Sequence, residues 1–320
     1  MSAQSDGAVG YYGRPVIKQP VWTWEIPLYF VTGGMSGASA GLAFAAELTG
    51  NRPLARRAQL TAFGLIAVSP ALLISDLGRP ARFYNMLRLF KLSSPMSVGS
   101  WLLSANGAAT GAATLGLLSG RLPRVTRGAQ AVAALLGMPL TTYTAVLIAD
   151  TAVPLWHEGR RELPFVFGGS SAAGAGALAT LLTPPARSGP ARALAIAGSV
   201  IEGTASILMQ RRLGELARPL STGRAGRLST VAKSLVCAGA TLVAADSVRG
   251  VIRGAGRGAL GRAGAGMVLA GETLERYAIF RAGFQSAADP AYTVGPQRRR
   301  RDGAGRLDPS AAQPSAGGGA

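Results

Sequence analysis

A single histidine, His157, and a single cysteine, Cys237, occur in the 320 residues. One cysteine excludes an internal disulfide and any iron–sulfur cluster held by this chain alone. One histidine excludes a haem held between paired imidazoles. His157 stands in a joint with Glu158 and Arg160 close by and is expected to be solvated. Charge is scarce as well: 15% of residues are charged and 48% are hydrophobic, too apolar for an ordinary soluble domain of this length. Strand-like alternation of polar and apolar residues is lacking, which argues against a transmembrane barrel.

What is present is a series of apolar stretches broken by arginine-rich joints. A bilayer core needs roughly 20 apolar residues per helix. Stretches of that kind lie near 26–48, 59–77, 97–119, 129–153, 164–184, 191–210, 229–248 and 258–280. The expected fold is therefore an all-α integral membrane protein, a bundle of about eight transmembrane helices. Residues 1–25 form an N-terminal extended or interfacial segment, 26–283 the transmembrane domain, and 284–320 a largely disordered tail. No charged leader precedes a short apolar core and cleavage site, so the first span is expected to act as an uncleaved insertion signal in a cell (cytoplasmic or inner) membrane.

The net charge of +18 would suggest nucleic acid in a soluble chain, but here the basic residues flank spans. They read as topology signals and contacts for membrane lipid, with no nucleic-acid partner, and their count leans modestly towards cytoplasmic termini. Gly33, Gly37 and Gly41 recur every fourth position, as do Gly107 and Gly111. In lipid such spacing favours close helix packing, within the bundle or between copies of the chain.

Function has to come from polar groups at membrane depth, since each isolated one costs at least ~2.5 kcal/mol. The start of the first span and the ends of the second and fourth arrive at one face. Glu25, Tyr29, Asp76, Arg79, Tyr143 and Asp150 are thus expected to converge there, with Trp24 beside them. An apolar, aromatic-lined pocket with phenols and carboxylates suits a quinone, which needs hydrogen-bond donors at its carbonyls and groups that exchange protons. Tyr29, Tyr143, Trp24 and Arg79 are candidates to bind it, and Glu25 and Asp76 to carry protons. Two other readings stand beside these: Asp76 and Arg79 as a helix-end ion pair, and the tryptophans as an interfacial belt. Glu47, Asp150, Glu202, Asp246 and Glu272 are spread over several helices and are candidates for a proton path. No group of residues suggests a metal site.

The string Gly13-Arg14-Pro15, then Trp22-Thr23-Trp24-Glu25 running into Tyr29-Phe30 and Gly33-Gly34, resembles the start of the NrfD/PsrC family, membrane subunits of polysulfide reductase-like molybdoenzymes. Asp76-Leu77-Gly78-Arg79-Pro80 with Arg82-Phe83, and Ser94-Pro95-Met96-Ser97 with Gly99 and Trp101, are similar to its second loop and the start of its third helix. Tyr143-Thr144, Pro154-Leu155-Trp156, residues 164–171 and the C-terminal stretch around Phe280-Arg281-Ala282-Gly283 extend the likeness over most of 11–297.

The resemblance implies a quinone-binding anchor (menaquinone or ubiquinone) with no haem and no iron–sulfur cluster of its own. Its implied partners are a four-cluster ferredoxin-like iron–sulfur subunit and a molybdopterin catalytic subunit. The family's quinone-site histidine falls on Tyr29, its tyrosine on Tyr143, and a further polar position on Ile26. A tyrosine donates a hydrogen bond but does not titrate near neutral pH as histidine does, which passes the proton to Glu25 or Asp76. The competing class is a proton-coupled transporter, for which the scattered carboxylates speak, or a purely structural anchor. Against a solute carrier, no inverted repeat or pair of broken helices is evident.

Overall fold

A computed structural model describes residues 16–79, 81–88, 90–253 and 258–294, apart from the side chains of 251 and 253. Gly13-Arg14-Pro15, Pro80 and the arginines at 298–301 lie outside the described residues. Among those described there is no strand. Eight helices of 20 residues or more follow one another: Glu25–Leu48 (α1), Arg52–Asp76 (α2), Pro95–Ser119 (α3), Pro123–Ala149 (α4), Leu163–Leu182 (α5), Gly189–Leu213 (α6), Gly223–Arg253 (α7) and Ala259–Ala288 (α8). Even the shortest reaches about 30 Å, the thickness of a bilayer core. α2, α4, α5, α6 and α7 combine that length with the hydropathy of a membrane span. α1 and α3 are diluted by glycine and serine, and α8 by charges that it buries against its neighbours.

Helix ends follow local chemistry. Ser94 caps α3 by accepting from the Ser97 amide, Pro95 occupies its first turn, and Gly120 closes it at φ 66°, a left-handed conformation that costs glycine little. α8 keeps its regular structure to Ala288, past the boundary expected at 283, and 291–294 form a further helical turn.

α1 packs on α2 and α4, and α3 on α4, giving a first group of helices; α5 pairs with α6, and α7 with α8. α5 joins the two groups through α1, α4 and α8, whereas α6 and α7 touch sparingly. Three of these pairings rest on glycine meeting backbone. A Cβ on Gly37 would stand 2.3 Å from the Gly137 carbonyl oxygen across α1 and α4. Gly198 meets the Gly169 carbonyl across α5 and α6, and Gly264 the Gly239 carbonyl across α7 and α8, each at 2.6 Å on the same construction. The stripe in α1 is therefore not uniform: Gly37 is the contact, Gly33 lies under the Tyr29 ring, and Gly41 faces open space.

Outside the hydrocarbon, Glu162 binds Arg212 through two hydrogen bonds of 2.5 and 2.6 Å, tying the start of α5 to the end of α6. The guanidinium holds the Glu162 carboxyl below the usual carboxylate range. A depressed folded-state pKa means that the pair's contribution is complete above the unfolded value of about 4.3 and fades as pH falls through the lower folded one.

Two outcomes follow from this packing. Gly37→Val should destabilise the detergent-solubilised protein by about 1–3 kcal/mol through overpacking, and Gly41→Val should leave its melting temperature unchanged. Glu162→Gln should remove roughly 0.2–1 kcal/mol at pH 7 and flatten the acid limb of a stability-against-pH curve below about pH 5.

Candidate functional site

The N-terminal segment folds back onto the end of α2. The Thr23 amide and hydroxyl both reach Asp76 Oδ1, at 3.2 and 3.0 Å, and the hydroxyl also contacts a Glu25 carboxylate oxygen closely. Thr23 therefore sits between the two carboxylates and holds them at one mouth, partly exposed. Trp22 stacks on Trp156 at 5.9 Å, which fixes the segment from its other side.

Below that mouth lies Tyr29, 2% exposed, packed with Ile26, Ile66, Leu103 and Leu140 in the core shared by α1 to α4. Its ring lies along Gly33 towards Ser69. Among the described residues its hydroxyl makes no hydrogen bond. Tyr143 is close enough to Tyr29 to interact with it electrostatically. Its own hydroxyl donates to the Pro95 carbonyl at 2.9 Å, and its ring presses on Gly99, where a Cβ would stand 1.8 Å from the ring. The arrangement provides a buried phenol with a spare donor, a second phenol tied to the start of α3, and two carboxylates at the opening.

Other expected members stand apart. Trp24 is 62% exposed, as suits an aromatic at the bilayer interface. Arg79 is exposed and makes no ion pair with Asp76, so a helix-end pair between them is not formed; Asp76 accepts from Thr23 instead. Asp150 caps α4 in an exposed position. His157 is exposed in the short helix Pro154–Glu158, with Nδ1 3.2 Å from the Ala149 carbonyl. Glu47 pairs with Arg127 at 3.5 Å near the far end of α1, and Asp246 with Arg192 at 2.8 Å where α7 approaches α6.

Glu202 and Glu272 are both buried within the bundle, and around Glu272 the structure gives partners to Glu275 and Arg276, charges of the last span to which the sequence reading assigned no site role. Arg276, 2% exposed, donates to the carbonyls of Phe30 (2.9 Å) and Phe167 (2.6 Å) and to the hydroxyls of Ser170 (3.0 Å) and Ser171 (2.9 Å). Its guanidinium also lies 4.1 Å from the centre of the Phe167 ring. One turn away neither oxygen of the buried Glu272 carboxyl is hydrogen bonded. Glu275 accepts from Ser229 at 3.2 Å and lies 3.8 Å from Lys233 Nζ. The signal was in the sequence: Glu272, Glu275 and Arg276 fall at i, i+3 and i+4, one helix face, inside an apolar stretch.

A family model described as polysulphide reductase, NrfD, matches residues 16–209, well over half of the chain. The matched region runs from the N-terminal segment through α1 to α5 and nearly all of α6, and so contains Thr23, Glu25, Tyr29, Asp76 and Tyr143. The likeness proposed around Phe280 to Gly283 lies beyond it. No curated protein matches the chain.

Because Arg276 lies outside the matched region, its importance rests on geometry. Arg276→Met, which strips four hydrogen bonds from the core, should cost at least about 2 kcal/mol. Arg276→Lys keeps the charge without the planar fork and should recover only part of this, measured as thermal unfolding in detergent.

Proposed function

The chain belongs to the NrfD family of multi-pass helical membrane proteins, and from that premise we propose that it is the quinone-interacting anchor subunit of a respiratory molybdopterin oxidoreductase complex. It passes electrons between menaquinone or ubiquinone in the bilayer and an iron–sulfur partner subunit of the four-cluster ferredoxin-like class. The observation that carries this reading is the Tyr29 hydroxyl, which makes no hydrogen bond among the described residues although its side chain is buried, set behind two carboxylates. A hydroxyl that is left free yet not sealed off, at the end of an apolar core, fits a ligand carbonyl.

When bound, a quinone supplies two-electron, two-proton chemistry, and the protein supplies position and proton exchange. Tyr29 holds a ring oxygen by its hydroxyl. Tyr143, anchored on Pro95, keeps the start of α3 in place and presents a phenol oxygen beside Tyr29. Glu25 and Asp76, held by Thr23 at the opening, exchange protons with the aqueous side. The iron–sulfur partner docks on this end, where Trp24, Tyr84 and Phe90 are exposed. A second reading, proton conduction through the bundle, is favoured by Glu202 and Glu272 at its centre. Glu47, Asp150 and Asp246 do not join them in a continuous path.

Tyr29→Phe in the assembled complex should lower quinone-linked turnover about tenfold, the value of one buried hydrogen bond. Asp76→Asn keeps the acceptor for Thr23 and should likewise lower turnover. In both variants subunit recovery and dye-linked activity of the catalytic partner should stay intact. Unchanged quinone turnover in both, or loss of the partners on purification, would overturn the assignment.

A further inference from the structure

α6 and α7 are drawn apart, one against α5 and the other against α8, and between them lies an outward-facing cleft of about 700 Å³. Its lining runs along α6 from Ile196 to Gln210, about 21 Å at the rise of an α-helix. The walls are mostly small and apolar, with Gly203, Ala240 and Ala244 among them. Two ionisable groups interrupt them. Glu202, 3% exposed, lines the cleft from near the middle of α6 and has no hydrogen bond or ion pair among the described residues. Lys233 lines it from α7, its side chain 37% exposed.

We propose that this cleft is a second ligand site, for a neutral amphiphile whose head carries both hydrogen-bond donor and acceptor oxygens on a long apolar tail, the class of a lipid-soluble quinol. A phosphate headgroup would suit Lys233 but would bring its charge against Glu202. A plain acyl chain would leave Glu202 buried without a partner, which costs more than the chain's contacts return. A quinol-type head meets both requirements: one hydroxyl donates to Glu202 while another oxygen accepts from Lys233. The tail lies in the apolar groove, within the length available along the bilayer normal. Gln210 spends its amide N–H on Ser206 within its own helix and leaves its carbonyl oxygen for the head. The site is separate from the candidate site at Tyr29, whose residues come from α1 to α4 and the segment before α1. Only the choice of quinol as the amphiphile rests on the function proposed above.

The test is photoaffinity labelling of the full chain in lipid nanodiscs with an azido-substituted ubiquinol analogue, the reduced form that carries the hydroxyl donors, followed by tryptic peptide mapping. Adducts are expected on the peptides 193–211 of α6 and 234–249 of α7, suppressed about fivefold by excess decylubiquinol but not by decylbenzene, which has the tail and ring without the oxygens. Glu202→Ala or, if that variant fails to fold, Lys233→Met, in which the α7 peptide becomes 228–249, should abolish the adducts on α6 and α7, and Tyr29→Phe should leave them. Equal suppression by decylbenzene would overturn the proposal, since the cleft would then select only for an apolar shape. Adducts confined to the peptide 19–56, which carries Tyr29, would overturn it while sustaining the site at Tyr29. Absence of adducts at both would count against both.

Discussion

A guanidinium in the middle of a membrane bundle must find all of its partners inside the protein, and the placement of Arg276 sets much of the rest. Its acceptors come from α1 and α5, and none is a carboxylate. Backbone carbonyls keep lone pairs to spare while engaged in helix hydrogen bonds, so α1, α5 and α8 are joined without breaking any of them. The close approach has a steric condition as well: a Cβ on Gly34 would stand 2.3 Å from the Ser171 hydroxyl and 3.5 Å from the guanidinium. Since Phe30 is one of the acceptors, the neighbouring Tyr29, whose ring lies 6.4 Å from that of Phe30, is fixed in height and rotation by a contact one residue along its own helix.

The mouth of the site depends on a second cross-connection. Trp156 is wholly buried in the short helix Pro154–Glu158, donates to the Ile279 carbonyl at 3.0 Å, and stacks on Phe280 at 6.2 Å. It occupies space that only Gly283 leaves open, a Cβ there falling 2.0 Å from the indole. Trp22 stacks on its free side, so the N-terminal segment that carries Thr23 and Glu25 is seated on residues drawn from α8 and the joint after α4. Segments far apart in sequence, Trp22 to Glu25, Pro154 to Trp156 and Phe280 to Gly283, are one packing unit in space.

The spans were legible because hydropathy over about 20 residues is decided by the solvent and needs no knowledge of neighbours. Their ends were less so. α2 begins at Arg52 rather than near 59, because Arg52, Arg56 and Arg57 continue the helix through the interface, where charge ends the apolar stretch but not the hydrogen-bond ladder. Threading the helices through the membrane was enough to bring Glu25, Tyr29 and Asp76 to one end. It was not enough to say which side chains turn inwards: Trp24 and Arg79 lie at the right depth on the wrong faces. The charges of α8 were the least legible. In sequence they only weaken a span, and their partners on α1, α5 and α7 exist only once the bundle closes.

The carboxylates divide by what the fold offers each. Glu47 and Asp246, towards helix ends, have arginines within reach and act as ties between helices. Glu272 lies where the nearest guanidinium is already committed to carbonyls and hydroxyls and neither of its oxygens is hydrogen bonded, while Glu202 shares its cleft with Lys233. The distribution of glycines bears on that cleft. Gly198 against Gly169 commits α6 to α5, and Gly239 against Gly264 commits α7 to α8. Two helices held so closely on their inner sides cannot also close on each other, so the gap between them is a consequence of the tight pairings, and Glu202 stands on its wall.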